Sequence, residues 1–172
     1  MKRKLVLAGS VVVGAFMLFM CAGSLAKIPT NVTVSAQVPA TIQLDMPTTT
    51  VNWDGKSLEP GGTYTQTISA TINSNKGWTL SVYKDHDLTG TGGTPETIPS
   101  ADLTYTSASS DTRVTSKRTE AIEFPVQEYE TWVVKGTRGS GITSTITYSL
   151  TVPWDLAPDT YTATHTYTAT QP

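Results

Sequence analysis

The feature that most constrains the fold is a strict two-residue alternation near the C-terminus. Ile142–Val152 reads ITSTITYSLTV. Ile142, Ser144, Ile146, Tyr148, Leu150 and Val152 share one parity, and Thr or Ser fills the other. Thr160–Thr170 reads TYTATHTYTAT, with Tyr161, Ala163, His165, Tyr167 and Ala169 on one parity and Thr throughout on the other. Successive side chains of a strand point to opposite faces, so these runs predict strands with one packed face and one wet face. Thr and Tyr suit a pleated, half-buried surface. Pro153, Pro158 and Asp159 interrupt the pattern, which predicts an antiparallel hairpin with a wide loop around Trp154.

The same test extends upstream. Val32, Val34, Ala36 and Val38 share a face; after Pro39, Ala40, Ile42, Leu44 and Met46 resume it. This predicts one strand kinked at the proline, or one that crosses between sheets. Thr63–Ile72 places Tyr64, Gln66, Ile68, Ala70 and Ile72 inward, and Trp78, Leu80 and Val82 follow after the turn at Asn73–Gly77. These two strands are expected to pair as a second hairpin. Val51–Trp53, Ala101–Thr106, Thr119–Val126 and Tyr129–Lys135 read as further short strands. Lys84–Ser100, with Gly90, Gly92, Gly93, Pro95 and Pro99, reads as a long loop, and Ser107–Arg118 as a polar, turn-rich stretch. The pattern gives eight or nine strands and no helix after the first segment. It predicts an all-β fold, an Ig-like antiparallel β-sandwich. No repeat recurs at a fixed period, which argues against a solenoid.

The N-terminus reads differently. Lys2, Arg3 and Lys4 precede the uncharged, mostly apolar run Leu5–Met20, and Ser24-Leu25-Ala26 supplies small residues for a peptidase. This predicts a cleavable signal peptide over residues 1–26 and a single β-sandwich domain over 27–172. The apolar run is short for a retained anchor. Met20 and Phe19 precede Cys21, a poor lipidation site, so the one cysteine is expected to leave with the signal peptide. The exported chain would then have no disulfide and no thiolate chemistry. Cleavage leaves 9 basic against 14 acidic residues. A mildly acidic surface excludes nucleic acid as an expected partner, and a membrane role beyond export through the signal peptide. The expected location is extracellular, at the cell surface. Asn31-Val32-Thr33 is a glycosylation sequon near the expected new N-terminus.

The order of the pieces carries a resemblance. VTVSAQVPATIQL, TISATINSNKGWTLSV, DLTGTGGTPETIP and a terminal LAPDTYTATHTYT follow the signal peptide. Trp78-Thr79-Leu80 and Trp154-Asp155-Leu156 each form a Trp-x-Leu triplet. The chain resembles the Ig-like β-sandwich domains of bacterial cell-surface proteins, of the WxL-like or pilin-like kind. That resemblance implies a structural or adhesive surface role without catalysis.

Catalytic signatures are missing from the sequence: no GxSxG, HExxH, P-loop or dinucleotide fingerprint is present. The histidines are His86 and His165, and the parity of His165 makes it a sandwich-interior or rim group bonded to a hydroxyl rather than a base. The sharpest local motif starts at Asp85. Counting it as position one, Asp87 and Thr89 fall at three and five, Gly90 at six and Glu96 at twelve. Oxygen donors at that spacing, with glycine at the bend, make Asp85, Asp87, Thr89 and Glu96 a candidate calcium loop; no other cofactor is expected. The competing reading is a polar turn that caps a sheet. Trp53 and Trp154 lie beside turn residues and are candidate carbohydrate-stacking groups. Thr63/65/67, Thr143/145/147 and Thr162/164/166/168 form hydroxyl ladders, read here as ordinary exposed strand faces. Two roles follow as expectations. The first is a structural subunit that partners itself in a filament or surface layer, joined through Lys27–Val38. The second is a module that binds cell-wall polysaccharide.

Overall fold

The computed structural model describes residues 33–53, 56–92, 96–126 and 129–172. The signal peptide, Cys21, Asn31 of the sequon and the first half of Lys27–Val38 lie outside the described residues. The chain divides into two compact units, Met1–Gln37 and Val38–Pro172. In the first, residues 33–37 are exposed and carry no regular structure.

The second unit is all β. Its strands are β1 (Ile42–Asp45), β2 (Thr63–Ser74), β3 (Trp78–Lys84), β4 (Leu88–Gly90), β5 (Thr97–Ile98), β6 (Leu103–Ala108), β7 (Val114–Lys117), β8 (Ile122–Glu123), β9 (Thr131–Gly136), β10 (Gly139–Thr151), β11 (Tyr161–Thr162) and β12 (His165–Thr170). A 3-10 turn, Ser100–Asp102, precedes β6. Three antiparallel sheets result: β1-β2-β10-β6-β8, β12-β3-β9-β7, and the small sheet β11-β4-β5. The two larger sheets share one core. The first contributes Ile68, Ala70, Ile72, Ile142, Ile146 and Leu150, and the second Trp78, Leu80, Val82, Val133 and Val134, all buried.

The alternation in β10 is borne out. Ile142, Ser144, Ile146, Tyr148 and Leu150 are buried, and the residues between them are half-buried or exposed. Both expected hairpins are not. β10 pairs with β2 on one side and β6 on the other. β12 pairs with β3 in the opposite sheet. A hairpin would set both apolar faces on the same side of one sheet; here the loop with Pro153 and Pro158 carries the chain across, so the two faces meet. Likewise β2 and β3 are joined by a corner, and β3 pairs with β9 and β12. Ser74 anchors that corner: its Oγ donates to the Lys76 carbonyl at 2.8 Å.

Other expectations shift more locally. Residues 33–41 form no strand and are exposed, because no neighbour supplies a ladder for them. Ile42, Leu44 and Met46 keep the expected parity. Val51–Trp53 is not a strand, although Val51 and Trp53 pack against the core. The expected loop at Lys84–Ser100 contains β4 and β5, and the polar stretch Ser107–Arg118 contains β7, which pairs with β9. Thr119–Val126 yields only the two-residue β8.

The hydroxyl ladders of β2 and β10 lie side by side in register, with Thr63 opposite Thr151, Thr67 opposite Thr147 and Thr71 opposite Thr143. Thr63 and Thr151 hydroxyls lie 3.1 Å apart, and those of Thr71 and Thr143 3.2 Å. One end of this pair of strands closes on the turn Glu59-Pro60-Gly61-Gly62. The Gly62 amide donates to the Glu59 carbonyl at 3.0 Å, and Gly61 has φ of 77°, a conformation that glycine adopts without strain.

Parity fixes the expected cost of substitution. Ile146→Ala opens a cavity between the sheets and is expected to destabilise the fold by about 2–5 kcal/mol in urea denaturation. Thr147→Ala, one residue on, is expected to cost less than about 1 kcal/mol. Equal costs at the two positions would show that the assigned faces are wrong.

Candidate functional site

The loop that begins at Lys84 holds the calcium-spaced residues, and each carboxylate there already has protein partners. Asp85 Oδ1 accepts from the Thr164 amide at 2.8 Å and the His86 amide at 2.7 Å. This ties the loop to the strand entering β12. Asp87 Oδ1 accepts from Lys84 Nζ and from Ser100 Oγ, the latter at 2.8 Å. Lys84 is buried, so Asp87 neutralises an ammonium that would otherwise be costly inside the fold. Thr89 Oγ1 donates to the Asp87 carbonyl at 2.9 Å. Glu96 Oε2 accepts from the Ala157 amide at 2.7 Å, across the small sheet. Among the described residues no three His, Cys, Asp or Glu side chains come together as a possible metal set. Asp85, Asp87 and Glu96 are therefore not brought to one point; each fastens a different stretch of chain.

The electrostatics follow the partners. Burial pushes the Asp85 pKa up, but the Thr164 and His86 amides outweigh it and hold it below the usual carboxylate range. Burial also raises Asp87, and the bonds from Lys84 and Ser100 outweigh it. Asp159, which the sequence reading passed over as a turn residue, does the same for the glycine-rich stretch. It accepts from the Gly92 amide at 2.6 Å and the Thr160 amide at 2.7 Å, and those two bonds lower its pKa.

The four tryptophans occupy four different settings. Trp78 is buried in β3 and donates to the Thr137 carbonyl at 2.9 Å, so the triplet Trp78-Thr79-Leu80 is core structure. Trp132 is covered by Arg118, whose guanidinium carbon sits 3.5 Å from the ring centroid. Trp154 is 80% exposed in the loop after β10, with its ring against Gly61. Trp53 is half-buried, and its indole N–H is shut off from solvent with no acceptor among the described residues. Trp53 also lines a surface groove of about 820 Å³ with Lys56, Leu58, Leu156, Asp159 and Tyr161. Trp154 is not part of that lining, so the structure separates the two candidate stacking residues.

A third cluster lies between the two larger sheets. His165 faces inward, as its parity implies. Its Nδ1 lies 3.3 Å from the Tyr148 hydroxyl, which lies 2.9 Å from the Tyr167 hydroxyl. Phe124, fully buried, stacks on Tyr148 with centroids 4.8 Å apart and tilts against His165 at 4.1 Å. Burial pushes Tyr148 up to about 12, opposed by the bond from Tyr167. Burial, then the neighbouring Tyr148, raises Tyr167 well above the usual phenol range. Burial pulls His165 down to about 4, with the Lys84 charge adding to the shift and Asp85 opposing it. All three groups are uncharged at neutral pH. The parity of β10 and β12 foretold that these side chains point inward; that the two strands face each other across the core was not legible from it.

No family model matches the chain, and a search of curated proteins found no match.

His165 sets the expected pH dependence. Its pKa is about 4 folded and about 6.5 unfolded. Between those values only the unfolded chain binds the proton, so stability falls as pH drops through the window and the effect ends below about pH 4. The expected loss between pH 7 and 4 is up to about 3 kcal/mol, read by urea denaturation across pH. His165→Gln is expected to remove most of that slope; parallel curves for the two proteins would assign it elsewhere.

Proposed function

We propose that this chain is an exported surface module with an Ig-like β-sandwich layout, and that it works by assembling with copies of itself rather than by turnover. The observation that carries the reading is the stretch leading into β1. Its apolar residues recur every second position, yet Val34 is 88% and Val38 78% exposed. A period-two apolar segment with no ladder over its described residues, 33–41, is suited to complete the sheet of a neighbour, where main-chain bonds give affinity and alternate side chains fill pockets. The short edge strands β1 and β7 offer such edges. The carboxylates of the Lys84 loop hold the fold together, which suits a structural role.

A second reading rests on the groove beside Trp53. It combines an aromatic wall with Lys56 and Asp159, groups that could hydrogen-bond a polysaccharide.

One comparison separates the two. The chain from Lys27 is expected to form larger species as concentration rises, by sedimentation velocity and electron microscopy. Deleting residues 27–38 is expected to leave a folded monomer. Unchanged assembly by the truncated chain would defeat the first reading. Loss of cell-wall polysaccharide binding in Trp53→Ala, measured by fluorescence quenching with the fold kept, would favour the second.

A further inference from the structure

Between the two larger sheets lies a pocket of about 390 Å³, open to solvent on one side and large enough for a small organic molecule. Ile68, Leu103 and Tyr148 wall it from the first sheet, and His165 and Tyr167 from β12. Met46, Val51 and Trp53, from the chain after β1, add a third wall and leave one side open to solvent. Among the described residues no Asp, Glu, Lys or Arg lines it, and His165 is neutral.

Hydrogen-bond counting shows what chemistry this cavity suits. Two bonds link Tyr167, Tyr148 and His165 Nδ1. If Tyr167 donates to Tyr148 and Tyr148 to Nδ1, the imidazole proton sits on Nε2 as a spare donor. If the chain runs the other way, Nδ1 donates, the Tyr167 O–H becomes the spare donor and Nε2 a spare acceptor. Either direction leaves at least one donor without a partner among the described residues. The wall residue Trp53 adds a second unmet donor, its buried indole N–H. Of these donors the Trp53 N–H is the one shut off from solvent, and leaving a buried donor unpaired costs about 1–3 kcal/mol, so its place on this wall is a signal rather than filler.

We propose that this cavity binds a small uncharged molecule, mostly hydrocarbon in body, that carries a hydroxyl group. The apolar walls at Met46, Val51, Ile68 and Leu103 take the body. A hydroxyl both accepts and donates, so it satisfies the Tyr167–Tyr148–His165 chain in either direction, which a carbonyl cannot do. The absence of any lining charge rejects ionic ligands, because a charge buried there would have no counter-ion. This site shares Val51, Trp53, Leu88 and Ala163 with the groove described above and is distinguished from it by the wall of Tyr148, His165 and Tyr167; it does not depend on the assembly role proposed above.

The test uses the exported chain with 2-naphthol as probe and naphthalene-2-sulfonate as its charged counterpart, by ligand-observed NMR titration. The expected result is saturable 2-naphthol binding with Kd below about 1 mM, and sulfonate binding at least about tenfold weaker. Tyr167→Phe removes the spare donor of one chain direction and His165→Gln that of the other, and one of the two is expected to weaken 2-naphthol by about tenfold through loss of one hydrogen bond. Ala163→Leu, which fills the cavity and removes no polar group, is expected to abolish binding; it decides the matter should Tyr167→Phe fail to fold. No saturation at the solubility limit, equal binding of the sulfonate, or unchanged binding in Ala163→Leu overturns the proposal.

Discussion

The inward face of β10 packed against β3 and β9 is the interaction on which the rest of the structure depends. Ile142, Ile146, Tyr148 and Leu150 are removed from water by that contact, together with Leu80, Val82, Val133 and Val134 opposite. At about 25 cal/mol per Å² of apolar surface, such burial is the main favourable contribution to folding here. The sequence has one cysteine, so no disulfide within a chain can share the task. β10 is also central in its own sheet, with β2 and β6 bonded on either side. A strand held on both edges and one face has no freedom to slip register, because a one-residue slip would turn every apolar side chain to solvent.

That constraint explains where polar chemistry is tolerated. Tyr148, His165 and Tyr167 bring polar tips into the core, where they bond to one another and stay uncharged. Ser107 enters from the first sheet and donates to the Val133 carbonyl at 2.8 Å in the second. Among the described residues Lys84 is the one buried charged side chain, and Asp87 and Ser100 meet it. At the end of the fold that carries the small sheet, carboxylates replace apolar contacts as fasteners. Asp85, Glu96 and Asp159 each accept from backbone amides of segments far away in sequence.

The amino-acid sequence made the faces legible but not the partners. Alternation in Thr63–Ile72, Trp78–Val82 and Ile142–Leu150 identifies which side chains go inward, since that depends only on strand geometry. Which strand lies beside which depends on corners, and corners look like hairpin turns in sequence. Ser74–Gly77 and the loop of Pro153 and Pro158 both carry turn residues, yet each sends the chain to the opposite sheet. The calcium-like spacing at Asp85 was ambiguous for a related reason: donors and glycines at fixed intervals also suit a loop whose carboxylates cap distant amides. Two-residue strands such as β5 and β8 hold too few side chains to show a period at all. The cavity was the least legible, because its walls come from both sheets and from an unstranded segment around Trp53.

Amide hydrogen exchange followed by NMR tests the central claim most directly. The account predicts that β10 and β2 amides exchange only through global unfolding, with the full free energy of stability. The amides of β4, β5 and β11, short strands of the small sheet, are predicted to open locally at lower cost. Exchange in the middle of β10 as fast as in β4 would contradict the claim that the inward face of β10 holds the fold together.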